Sequence, residues 1–174
     1  EADHFLKKIL DTNSVTKASM WFLDAKKIHY LSKKDFNSYK KLQLDYLERL
    51  KSAFTEDSNE YSKACVNIAD DLEWQSENES KCPDFHDDCI NLGTQYLNYL
   101  LDKAKISDEL GMTNPLVSHS HLAHQFQKMA QLYLKKKSSK KALDFTKKAL
   151  DSHHKKFETQ YTFDPPSWDF VDGE

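Results

Sequence analysis

Glycine is nearly missing from this chain: three residues in 174, alongside four prolines. Folds rich in sheet need many glycine-bearing turns, so the shortage argues against them and favours long helices joined by few connections. Arginine is scarcer still. Arg49 is the only one among 25 basic residues. Bidentate recognition of phosphate or carboxylate normally uses arginine, so a dedicated nucleic-acid reader is not expected. No apolar run approaches the roughly 18 residues of a membrane span, which argues against membrane insertion. No secretory signal opens the chain. It begins at Glu1 without methionine, as expected of a processed form or a piece of a longer protein. The three cysteines, Cys65, Cys82 and Cys89, are an odd and sparse set for a disulfide scaffold. They fit reduced thiols in a cytoplasmic or nuclear protein, with secretion after signal removal as the alternative.

What is present is helical pattern and charge. Hydrophobic residues make up 39% of the chain and charged residues 30%, which suits a globular domain and not a disordered one. Net charge is only −3, yet it is unevenly spread. Residues 55–90 hold eleven acids against two lysines, a balance of about −9. Residues 128–156 hold ten lysines against two aspartates, about +8. Such a dipole can steer a charged partner, or the two segments can neutralise each other.

Apolar residues recur at three- and four-residue steps through most of the chain and predict seven helices. The first covers about Ala2 to Leu10 and the second Val15 to Leu31. The third is capped by Asp35 and carries Phe36, Tyr39, Leu42, Tyr46, Leu47, Leu50 and Phe54. A fourth opens at Asp57 or Ser58, with Tyr61, Cys65, Ile68, Ala69 and Leu72 inward. Gln75 to Pro83 lacks periodic apolar residues and is predicted to be a loop. Asp84 caps a fifth helix reaching Ile106, Ser118 can cap a sixth, and the sixth and seventh meet at Lys137-Ser138-Ser139. The pattern stops near Glu158, and Asp164-Pro165-Pro166 imposes an extended conformation. The expected organisation is one all-α domain over residues 1–158, an array or bundle of about seven helices in antiparallel pairs. Its halves are 1–74 and 84–158, and an acidic-aromatic tail covers 159–174.

The last helical pair resembles a tetratricopeptide repeat. With Ala123 as the first position, Phe126 is the large fourth residue, and Met129 and Ala130 are the seventh and eighth. Tyr133 is the aromatic eleventh. Ala142 and Ala149 are the small residues of the second helix, where the two helices must approach closely. Asp144, Phe145, Lys148 and Leu150 also match common choices. Lys137 stands where the family has its turn glycine, and His154 where it has its terminal proline. The match covers residues 123–156. The pair from Ala18 to Leu50 has the same shape, but Tyr39 occupies a small-residue position. Microtubule-interacting-and-transport domains are built from similar hairpins.

The resemblance implies a non-enzymatic scaffold module in which the first helix of a pair lines a peptide groove. Carried over residue by residue, that surface is His124, Gln127, Lys128, Gln131 and Lys135, continued by Lys136 and Lys137. Amides and lysines suit an extended, acidic peptide or protein surface. The tail, with Phe163, Trp168 and Phe170 among acids, is expected to fold onto its own domain or self-associate with another copy.

Two other classes stay open. A metal-dependent helical enzyme would use Cys82, His86 and Cys89, a C-x3-H-x2-C spacing of zinc-type ligands with only one short pair. Ser118-His119-Ser120-His121 lacks the glycine-rich elbow that activated serines use, and no phosphate loop or dinucleotide fingerprint occurs. An extracellular helical carrier of small apolar ligands would require a disulfide. No cofactor is expected.

Overall fold

A computed structural model describes residues 17–56, 58–109 and 119–161. Among them it contains six α-helices and no strand: α1 (Lys17–Ser32), α2 (Phe36–Phe54), α3 (Asn59–Asn78), α4 (His86–Glu109), α5 (His119–Lys135) and α6 (Ser139–Tyr161). The predicted helix over Ala2–Leu10, the Ser118 cap and the tail beyond residue 161 lie outside the described residues. Two expected boundaries move. Gln75 to Asn78 continue α3, because Gln75 itself is buried and extends the inward stripe of Leu72. The last helix runs to Tyr161, past Glu158.

The chain forms two compact units, Glu1–Tyr99 and Leu100–Glu174. In the first, the helix ends are fixed by short polar caps. Asp35 accepts from the Ser38 backbone N–H at 3.1 Å, and its carboxyl is held below the usual range by hydrogen bonds from Ser38. Ser58 caps α3 through Tyr61 N–H. Asp84 accepts from His86 N–H at 2.8 Å.

The core of this unit includes Phe36, Tyr39, Leu47 and Leu50 of α2, Cys65, Ile68 and Leu72 of α3, and Phe85, Cys89 and Leu92 around α4. Polar ties cross it. The Tyr39 hydroxyl donates to Asp71 Oδ2 at 2.8 Å, and Lys27 Nζ reaches the same oxygen at 3.3 Å. Lys40 Nζ lies 2.8 Å from Asp88 Oδ2 and 4.9 Å from the centre of the Phe85 ring. The acid-rich segment therefore finds cations on α1 and α2 within its own unit.

In the second unit α5 and α6 form a tight hairpin. Leu122, Ala123, Phe126, Met129 and Ala130 of α5 and Ala142 and Ala149 of α6 are all buried. Phe145 stacks on Tyr133 with centroids 5.4 Å apart and tilts against Phe126 at 6.2 Å. Small residues at the crossing let these large ones interlock beside it.

The α1–α2 and α5–α6 turns are built alike. Lys34 and Lys137 both take the left-handed conformation, φ 55° and 56°. At the first, Asp35 N–H bonds Tyr30 C=O and Lys34 N–H bonds Leu31 C=O. At the second, Ser138 N–H bonds Tyr133 C=O and Lys137 N–H bonds Leu134 C=O. This is the double hydrogen-bond closure of a Schellman C-cap, normally assigned to glycine. With glycine so scarce, lysine adopts the strained geometry.

Two outcomes check this packing. Ala142→Leu and Ala149→Leu should each destabilise the protein by roughly 1–3 kcal/mol through overpacking. Lys137→Gly should stabilise it by about 1 kcal/mol by relieving left-handed strain. Chemical denaturation of the three variants measures both effects; unchanged midpoints for both alanine variants would remove the crossing from the account.

Candidate protein-interaction surface

The buried residues of α5 fall on one side of the helix, and His124, Gln127, Lys128, Gln131 and Lys135 fall on the other. Their spacing of three, four, seven and eleven from His124 keeps them within one helical face. His124, Gln127, Gln131 and Lys135 are exposed and Lys128 is half-buried. Lys136 and Lys137 extend this row into the turn and are exposed. The structure thus places His124, Gln127, Lys128, Gln131 and Lys135 on one face of α5, with Lys136 and Lys137 following at its C-terminal end.

The aromatic packing beneath the hairpin holds two further lysines. Lys141 Nζ sits 5.0 Å from the centre of the Tyr133 ring and Lys148 Nζ 5.2 Å from that of Phe145. Lys148 also pairs with Asp144 one turn away, at 2.9 Å. On the outer side of α6, Leu143 and Leu150 are 58% and 57% exposed, seven residues apart on one face. The unit's cleft of about 340 Å³ is lined by Leu101, Leu122, Phe126, Lys148, Ser152 and Lys155 among others. None of the seven strip residues lines it.

Cys89 is fully buried, and its thiol donates to Ala69 C=O at 3.4 Å. Cys82 lies in the loop before α4, where burial pushes its thiol up. His86 Nδ1 is held 2.6 Å from Asp84 Oδ1. Cys65, Cys82 and Cys89 are free thiols. Among the described residues no group of three or more His, Cys, Asp or Glu side chains is gathered to hold a metal ion. His119 and Ser120 are half-buried and His121 is exposed.

Buried polar side chains were the least visible feature of the sequence. Gln43, Ser62, Gln75, Gln125 and Ser152 are all within the cores. Gln43 falls between Tyr39 and Leu47 at four-residue steps, and this apolar register is the signal that marks it.

No family model matches the chain, and no curated protein matches it. No helix among the described residues is long and apolar enough to cross a membrane.

The Cys65 environment gives a pH dependence. Burial pushes its thiol from 9.0 up to about 11. The folded state favours the neutral thiol, so the contribution is complete below about pH 9 and is lost as pH rises through about 11. Stability should fall over that window by an amount on the order of 1–3 kcal/mol attributable to this thiol. Denaturation curves of the protein and of Cys65→Ala between pH 8 and 11 isolate it; parallel pH profiles would contradict the assignment.

Proposed function

We propose that this chain is a non-enzymatic interaction module, a tetratricopeptide-like helical array that uses the polar strip of α5 to hold an extended acidic segment of another protein. The observation that carries this reading is the division of α5. One face is committed to the α6 interface, while the opposite face presents two glutamines, a histidine and a run of lysines. Glutamine side chains offer a donor and an acceptor to extended backbone, and the lysines attract acidic side chains. Lys140 and Lys141, just past the turn, enlarge the same positive field.

The chemistry of the other classes finds less support. Of the candidate zinc ligands, Cys89 is buried with its thiol on Ala69 C=O. An extracellular carrier would be expected to hold a disulfide, and Cys65, Cys82 and Cys89 form none with one another.

The test is kinetic. Acid-rich peptides selected from a displayed library on the full chain should bind more weakly as salt rises from 50 to 300 mM. Changing Lys135, Lys136 and Lys137 to Glu should slow association about tenfold or more while changing dissociation less. Association rates indifferent to salt and to charge reversal would show that these lysines serve solubility alone.

A further inference from the structure

The turn between α5 and α6 sets Ser138 and Ser139 between two lysine runs, Lys135-Lys136-Lys137 and Lys140-Lys141. All five lysines are exposed. Lys141 leans back over the Tyr133 ring of α5, its Nζ 5.0 Å from the centre, so the second run also adds positive charge on the α5 side of the turn. No acidic residue occurs between Glu109 and Asp144, and Asp144 is itself paired with Lys148 at 2.9 Å. The chain around the two hydroxyls therefore carries charge of one sign.

The backbone distinguishes the two serines. Ser138 N–H donates to Tyr133 C=O at 2.8 Å, and Ser138 C=O accepts from Ala142 N–H at 3.0 Å. Both of its main-chain groups are committed to ending α5 and starting α6, and the residue is half-buried. Ser139 is the first residue of α6 and is exposed. Its hydroxyl is open to an enzyme while the turn stays closed.

Protein kinases read the charge around the hydroxyl that they modify. An exposed serine with cations on both sides and no acid nearby suits a kinase whose substrate groove is acidic. The product also suits its surroundings. A phosphate adds a charge of about −1.5 to −2 at pH 7 and three strong acceptor oxygens, and lysines before and after Ser139 can pair with it.

We propose that Ser139 is a phosphorylation site for a lysine-directed serine kinase, and that its phosphate turns off the α5 strip. In the reaction Ser139 Oγ attacks the γ-phosphorus of ATP, the bond from that phosphorus to the β–γ bridging oxygen breaks, ADP leaves, and the hydroxyl proton passes to the kinase. The switching role rests on the reading of the strip as a surface for acidic segments. Lys135, Lys136 and Lys137 lie just before the modified serine, so the phosphate offsets about two of their charges and competes with an acidic ligand for them.

The full chain is incubated with magnesium ATP and the isolated catalytic domain of a serine kinase selective for flanking lysines. It should gain one phosphoryl group, placed at Ser139 by fragment mass spectrometry. Ser139→Ala, which leaves the Ser138 backbone bonds in place, should gain none, and Ser138→Ala should still be modified. The modified chain should bind the acid-rich peptides selected on the unmodified chain about tenfold more weakly at about 50 mM salt. No transfer to the folded chain, or transfer to Ser138 in place of Ser139, would overturn the site. Transfer to Ser139 with peptide affinity unchanged would overturn the switch. If no acid-rich peptide binds the unmodified chain, the reading of the strip fails and the switch with it, while the mass spectra decide the site by themselves.

Discussion

The α5–α6 hairpin depends on alanine at its crossing. Ala142 and Ala149 are buried, which suits close approach of the two helices, and Phe145 packs against Tyr133 and Phe126. Everything proposed for the α5 strip follows from that contact. A helix gripped along one side by its neighbour must present its remaining side chains outward, at fixed helical spacing and with little freedom to rotate. The helix backbone fixes the spacing of these polar groups, which suits an extended chain of matching repeat.

The α1–α2 hairpin shows what changes when the small residue is lost. Aligned on the left-handed lysines Lys34 and Lys137, Tyr39 stands where Ala142 stands. A buried tyrosine at this place needs room for its ring and a partner for its hydroxyl, and Asp71 of α3 provides the partner. The third helix is thereby drawn into the packing of the first pair. Burial and the adjoining carboxylate both favour the neutral phenol and push its pKa upward. The equivalent position thus holds a small side chain in one hairpin and a hydrogen-bonded ring in the other.

Much of this was legible in the residues. Six helices follow the apolar periodicity, Asp35 and Ser58 cap where capping chemistry places them, and the turn falls at Lys137-Ser138-Ser139. Ala142 and Ala149, read as the small residues of a helix crossing, are both buried. The end of α3 was not legible. Gln75 is polar by type yet buried by position, and a composition rule assigns such a residue to a loop. Gln43 was hidden for the same reason, since periodicity finds apolar faces and passes over a polar residue set within one. Cys89 was readable as a core thiol from its place in the apolar stripe of its helix, and it does turn inward against Ala69 C=O. The left-handed lysines could be located as turns, but their strain is a property of backbone closure that residue type conceals.

The central claim is that the outward face of α5 recognises an extended acidic chain. Backbone amide shifts of the isotope-labelled full chain, followed by nuclear magnetic resonance during titration with a blocked peptide of alternating glutamate and leucine, test it most directly. Saturable shifts centred on His124, Gln127, Lys128, Gln131 and Lys135, with the buried face of α5 and the outer face of α6 undisturbed, are the predicted result. Shifts confined to α2 and α3, or to the outer leucines Leu143 and Leu150, would contradict it.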